Sequence, residues 1–316
     1  MRHPAAILAL ALAALGALAP ADAQVRTADA TQRGFRENDF PRLVKLAENV
    51  YAYEDLNGTL DSNLAFTTNS LIVITSDGVL VADGQGSVAK TRRLVEEIGR
   101  LTSQPIRYVV VGADHGDHVA GNSAFPAGTT FIAHPTSKAV IERMRPQADG
   151  TRVPVPQETV SDRRVLTLGG TEIQILFLGR AHTGGDLEVY LPRENILWMS
   201  EAFFNRLYPS VGGSRSAYPI EWIDTIRKAE AMNASIYLPN HGFVDSAAVL
   251  NEELVNFRRA LENLVSEARR LHAANVTVEN APRLVNLGEF QYWYRAANNM
   301  PDAVRQIYLE IEGKLP

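Results

Sequence analysis

Two short β-hairpins constrain this chain more than any other feature. Leu71-Ile72-Val73-Ile74 and Val79-Leu80-Val81-Ala82 flank Ser76-Asp77-Gly78. An Asp-Gly pair between β-branched runs predicts a tight turn joining antiparallel strands. Residues 165–168 and 171–178 repeat the arrangement around Gly169-Gly170. Upstream, strands begin near Leu43, and Asn49-Val50-Tyr51-Ala52-Tyr53 alternates in the same sense. After the first hairpin, Ser87 opens a helix with Val88, Leu94, Val95 and Ile98 on one face and Gly99 near its end. Residues 106–111 then read as a buried strand, 130–133 as a strand and 136–144 as a helix. After the second hairpin, 187–191 and 196–199 read as strands, 219–232 as a helix, 236–238 as a short strand and 244–273 as a long helix. The tail reads as helical around 281–287 and 303–312. Strands followed by helices, twice over, predict an α/β fold of two packed sheets with helices outside. Nothing marks a linker, so 24–316 is expected to be one domain, with 24–38 a loose polar lead.

The first 23 residues read as a signal peptide rather than as structure. Met1-Arg2-His3-Pro4 is cationic, residues 5–18 are apolar and uncharged, and Ala21-Asp22-Ala23 offers a small-x-small cleavage site. The apolar run is shorter than the roughly 20 residues of a membrane span. Cleavage removes one Arg and one Asp and leaves a net charge of −5 on 293 residues. The chain has no cysteine, which excludes disulfides and thiolate metal sites in an exported protein. Mild acidity argues against a nucleic-acid partner, and no later apolar run implies a membrane. A small-molecule substrate is the expected partner. The periplasm is the expected location if the source is Gram-negative, and secretion otherwise.

Of the six histidines left after cleavage, four lie in loops that directly follow predicted strands. His115 and His118 fall in the run Gly112-Ala113-Asp114-His115-Gly116-Asp117-His118-Val119-Ala120-Gly121-Asn122. His182 lies in Ala181-His182-Thr183-Gly184-Gly185-Asp186, and His241 in Pro239-Asn240-His241-Gly242. Imidazoles at strand ends, beside glycines that let the backbone turn sharply, suit a metal cleft. Asp117 adds a hard oxygen donor compatible with zinc, iron or manganese.

These motifs resemble the metallo-β-lactamase superfamily. The segment 114–122 matches its His-x-His-x-Asp-His motif from the second His onward. His182 with Thr183 is similar to its second-strand His, Glu201 falls where it carries a metal-bridging acid, and Asn240-His241-Gly242 resembles its last His motif. The resemblance spans residues 49–244 and implies an αββα sandwich: two mixed β-sheets with helices on the outer faces. It further implies a metal set of His115, Asp117, His118, His182, Glu201 and His241, and a zinc-dependent hydrolase.

Two positions depart from the pattern. Ala113 replaces the family's first His, and Ser200-Glu201 replaces the usual Gly-Asp. Asp114 is not expected to substitute, because alternation along extended backbone points residues 113, 115 and 117 one way and 114 the other. The second site stays complete with Asp117, His118, Glu201 and His241. A mono-zinc subclass of the family also lacks the first His, and by that likeness His115 and His182 position water or act as general base. One tightly bound Zn2+ is therefore expected, with a second ion left open. Asp117 takes part in proton delivery to the leaving group. Hydrolysis of an amide, lactone, ester or thioester follows, while a non-catalytic binding protein with a degenerate site is the competing reading.

Other residues carry weaker expectations. Asp83 is either a supporting carboxylate behind the site or a turn former. His134 and His272 are read as structural or solvent-facing, and Gln291-Tyr292-Trp293-Tyr294 as core packing. Tyr208 and Arg215 lie in a loop bordering the site. Asn69, Arg107 and Asn122 are read as turn or surface residues.

Overall fold

Alternating side chains in the first hairpin serve two different cores. Leu71, Val73, Leu80 and Ala82 face one core, and Ile72, Val79 and Val81 face another. A strand's period of two sends successive residues to opposite faces, so this hairpin belongs to a sheet covered on both sides. The computed structural model describes residues 25–62, 64–211 and 217–315. The expected signal peptide therefore lies outside the described residues.

The first half contains β1 (Arg42–Ala47), β2 (Val50–Asn57), β3 (Phe66–Thr75), β4 (Gly78–Ala82), α1 (Val88–Leu101), β5 (Ile106–Val110), α2 (Gly116–Val119), β6 (Thr130–Ala133), α3 (Pro135–Glu142) and β7 (Glu158–Thr159). The second contains β8 (Arg163–Leu168), β9 (Thr171–Leu176), β10 (Glu188–Leu191), β11 (Ile196–Trp198), α4 (Pro219–Ala231), β12 (Ile236–Leu238), α5 (Ala247–Ala273) and α6 (Ala296–Ile311). One sheet runs β1-β2-β3-β4-β5-β6-β7, antiparallel as far as β4 and parallel beyond it. The other runs β12-β11-β10-β9-β8, with only β11 and β12 parallel. Both sheets are mixed.

Three apolar layers hold them. Between the sheets, Leu71, Leu80 and Val110 pack with Ile173, Ile175, Val189 and Trp198. Outside the first sheet, Leu94 and Ile98 of α1 and Ile141 of α3 cover Ile72, Val81 and Val109. Outside the second, Trp222 and Ile226 of α4, Phe257 and Leu261 of α5, and Val304 and Ile307 of α6 cover Leu197 and Tyr237. This is the αββα sandwich. Each fully buried aliphatic side chain contributes about 1.5–3 kcal/mol relative to exposure.

Four local expectations are corrected. From Val25 onward the lead is docked rather than loose: Arg33 grips Asp245 with two bonds of 2.7 and 2.8 Å, and Phe35 stacks on Phe243. Tail residues 281–287 give only a 3-10 turn, Ala281–Arg283. The last helix starts earlier than its apolar pattern, at Ala296, and passes through Pro301. The aromatic cluster divides, with Trp293 buried and Tyr292 84% exposed. No helix of the described residues is long and apolar enough to cross a membrane.

Candidate metal centre

The loops that follow β5, β9, β11 and β12 converge on one cleft. After β5 the chain turns into α2 with His115 at its N-cap, so Asp117 and His118 sit in the first helical turn. After β11, a 3-10 turn over Ser200–Ala202 presents Glu201. After β12, His241 is clamped by bridges to Thr68 and Phe204, and its carbonyl accepts the Asn205 N–H at 2.8 Å. Gly242 follows at φ 82°, where a Cβ would lie 2.0 Å from the Asn205 carbonyl oxygen. Only glycine fits that turn.

Two groups of donor atoms result, each within 4.8 Å: Asp117, His118, Glu201 and His241, and His115, His182 and Glu201. In the first, His118 Nε2 stands 3.1 Å from Asp117 Oδ2 and 3.2 Å from Glu201 Oε1. His241 Nε2 stands 3.2 Å from Glu201 Oε1 and 3.5 Å from Asp117 Oδ2. Ligands about 2.1 Å from a tetrahedral zinc stand about 3.4 Å apart, so the spacing fits a zinc-sized ion. Glu201 also serves the second group, its Oε2 lying 3.0 Å from His115 Nδ1 and 2.8 Å from His182 Nδ1.

The tautomers follow from what stands behind each ring. His241 Nδ1 faces the Thr67 carbonyl at 2.7 Å, and a carbonyl only accepts, so Nδ1 carries the proton and Nε2 presents its lone pair. His118 Nδ1 lies 3.1 Å from Asp83 Oδ2, with the same consequence. His118 Nε2 is buried with no aligned hydrogen bond and faces the carboxylate oxygens of Asp117 and Glu201, a place that a metal ion between them would satisfy.

Electrostatics point the same way. Burial works against charge at His115, but the Glu201 carboxylate overrides it and pushes the imidazole up to about 9. Burial likewise opposes ionisation of Asp117, yet the imidazolium form of His118, whose Nε2 proton a bound ion would replace, holds that carboxyl down at about 2. Burial lowers the pKa of His182, beside which Glu201 stands. The carboxylates thus draw positive charge into the cleft, as an ion site requires.

The cleft measures about 640 Å3 and is bordered by His115, Asp117, His182, Glu201 and His241, with Phe66, Val140, Met144, Phe204 and Leu207 as apolar walls. No family model matches the chain. It is 24% identical over 172 residues to the alpha subunit of 2,4-dinitroanisole O-demethylase from Nocardioides sp. (strain JS1661), covering 52% of this chain and 49% of that subunit. The chain thus spans about half the length of that relative. It is 23% identical over 214 residues to a type 2 metallo-β-lactamase of Bacteroides fragilis, covering 67% of this chain and 83% of that protein. A metallo-β-lactamase structure from Pontibacter korlensis matches with TM-score 0.59 at 19% identity, covering 69% of this chain and 98% of that one. The fold is that of the metallo-β-lactamase superfamily. A double mutant of the sec-alkyl sulfatase PisA1 matches with TM-score 0.67 at 15% identity, covering 87% of this chain and 51% of that one. Relatives with the metallo-β-lactamase fold are metal-dependent hydrolases.

Several residues around this metallo-β-lactamase-like cleft sit otherwise than expected. Backbone alternation does not govern residues 113–117, because the chain enters a helix at Gly116. Asp114 borders the same cleft but belongs to neither donor group. Asp83 is no mere turn former: its Oδ1 accepts the Gly112 N–H at 2.7 Å and its Oδ2 accepts Asn240 Nδ2 at 2.8 Å. Asn69 and Asn122 are buried, and Asn69 Nδ2 donates to the carbonyls of Pro239 and Gly242, fixing the His241 loop. Arg107 is exposed. Tyr208 is fully buried and does not border the cleft, whereas Arg215 lies outside the described residues. His134 caps α3, accepting the Thr136 N–H, and stacks on Phe177. His272 is partly buried, edge-on to Tyr308 and 3.4 Å from Glu312. Thr67, Phe66 and Arg295 carried no motif that could have marked them, since their roles arise from tertiary packing.

Proposed function

We propose that the protein is an exported hydrolase that holds one divalent ion, zinc, on Asp117, His118, Glu201 and His241 and cleaves an amide, lactone, ester or thioester bond. The observation that carries this reading is the convergence of two buried imidazole nitrogens, His118 Nε2 and His241 Nε2, each 3.1–3.5 Å from the same two carboxylate oxygens of Asp117 and Glu201. When bound, the ion supplies Lewis acidity, lowering the pKa of a water toward about 7 and polarising an acyl oxygen. His115 and His182, edge to face at 4.8 Å, border the cleft; His115, held protonated beside Glu201, orients the attacking water, and His182, whose pKa burial lowers, orients it or accepts its proton. Asp117 is less buried than the other three donors and carries a proton to the leaving group. Export rests on the sequence pattern of residues 1–23, and the periplasm is the destination in a Gram-negative source.

A second reading keeps the same chemistry with two ions. It is favoured by the clustering of His115, His182 and Glu201, which could hold a weaker ion despite Ala113. Elemental analysis of the mature protein dialysed against trace zinc separates them: about one ion per chain supports the mononuclear site, about two the dinuclear. No retained metal would favour the non-catalytic binding protein. A screen of lactams, lactones, esters and thioesters tests hydrolysis, and absence of turnover on all four counts against it.

A further inference from the structure

We propose that Arg295 is the anion-binding residue of this cleft, and that the substrate is an organic anion with an apolar body and one carboxylate or similar oxyanion. The inference rests on the hydrolase reading and names its substrate class. Among the described residues bordering the cleft, Arg295 is the only Arg or Lys. It comes from the segment leading into α6, beyond residues 49–244 that carry the metal motifs. No described carboxylate lies within 4.0 Å of it, although most arginines near the core of this chain, such as Arg33, Arg42 and Arg206, are paired. Among the described residues its Nε is buried without a hydrogen-bond partner, and Nη1 has only the Leu64 carbonyl at 3.4 Å.

Its placement relates it to the reaction centre. The guanidinium lies 5.5 Å from the centroid of the Phe66 ring, whose own centroid stands 4.9 Å from that of His241, edge to face. One phenyl ring therefore separates the cation from a proposed metal ligand. The backbone is held there under strain: Arg295 sits at φ 62°, a region that non-glycine residues seldom occupy. Its neighbour is pinned, with the Tyr294 hydroxyl donating to the Ala65 carbonyl and the Tyr294 carbonyl accepting the Tyr208 N–H. Burial lowers the pKa of Arg295, as expected for a cation that no acid neutralises. A ligand oxyanion would supply the missing partner through charge-assisted bonds, while Phe66, Phe204, Leu207, Val140 and Met144 take the apolar body.

The test compares two esters of 4-nitrophenol on the mature, metal-loaded protein: the neutral butyrate and the hemiglutarate, which ends in a carboxylate. Arg295→Gln should raise the ratio of the hemiglutarate KM to the butyrate KM about tenfold or more, the loss of a charge-assisted bond. Arg295→Lys should recover part of it. An unchanged ratio in a folded Arg295→Gln protein overturns the proposal. If the unmodified protein turns over neither ester, the hydrolase reading fails on these probes and binding decides the anion site separately. Isothermal titration of glutarate, at equal metal content, should then show affinity about tenfold or more weaker in Arg295→Gln. Equal affinities would overturn it.

Discussion

Asp83 stands directly behind His118, with Oδ2 3.1 Å from the imidazole Nδ1 and both side chains fully buried. The same carboxylate receives the Gly112 N–H and the Asn240 side-chain N–H, so it ties the loop before α2 to the loop that carries His241. A ring held by an acceptor at Nδ1 keeps its Nε2 lone pair free for an ion.

Asp83→Asn should therefore weaken metal binding. The asparagine presents one acceptor and one donor where three N–H groups require acceptance. Either the amide nitrogen faces Gly112, whose N–H loses its bond, or it faces both Asn240 and His118, and drives the imidazole proton to Nε2. The expected loss is about 10–100-fold in zinc affinity, measured by competition with a chromophoric chelator. Unchanged affinity with a lowered melting temperature would restrict Asp83 to a structural part.

Ligands and water-positioning groups should separate by metal content. His241→Ala and Asp117→Ala should lose the bound ion. His182→Ala should retain it while kcat falls about 10²–10⁴-fold, the usual contribution of a positioned acid or base. Elemental analysis beside steady-state kinetics checks this. Loss of one ion of two in His182→Ala would establish the dinuclear reading instead.

Ser200→Gly should stabilise the fold. Ser200 lies at φ 47°, and its buried Oγ has no hydrogen-bond partner. Its hydroxyl occupies space left by Gly112, where a Cβ would approach Ser200 Oγ to 2.4 Å. The left-handed backbone costs about 1–2 kcal/mol for a non-glycine residue, against about 0.5–1 kcal/mol of extra chain entropy lost by glycine. The net gain expected is about 1 kcal/mol, read from thermal melts at equal metal content. A lower melting temperature would show that the serine makes a compensating contact.

The strands and the loops between them were legible because their signals are local. Alternation fixed the hairpins, and Ser87 capped its helix where the pattern placed it. His115, Asp117, His118, His182 and His241 were legible because they sit in short glycine-bearing loops, whereas Glu201, in a turn without glycine, was reached only through the resemblance. Asn69, Thr67 and Arg295 were not, since what makes them matter is a partner far along the chain: Pro239 and Gly242 for Asn69, His241 for Thr67, the cleft for Arg295. The short helix at Gly116 also escaped, because four residues carry too little periodicity to mark a helix. That helix is why alternation did not turn Asp114 away from the cleft, although Asp114 still belongs to neither donor group.

Asp186 gives the chain a testable pH dependence. It is fully buried, its Oδ2 accepts the Thr183 N–H at 2.7 Å, and its Oδ1 has no partner. Burial, aided by the charge on Glu201, pushes its carboxyl from 3.8 up to about 8. The folded protein thus keeps a proton that the unfolded chain releases above about pH 4. Stability from this group is complete below that pH and declines as pH rises through about 8. Asp186→Asn keeps the shape and the acceptor but cannot ionise. The two proteins should be nearly equally stable near pH 4, and the variant should gain steadily, reaching a few kcal/mol at pH 8 and above. Urea denaturation of both at pH 4, 6 and 8, at matched metal content, reads the difference. A difference that stays flat across this range would mean that Asp186 is ionised in the fold and stabilised by a partner.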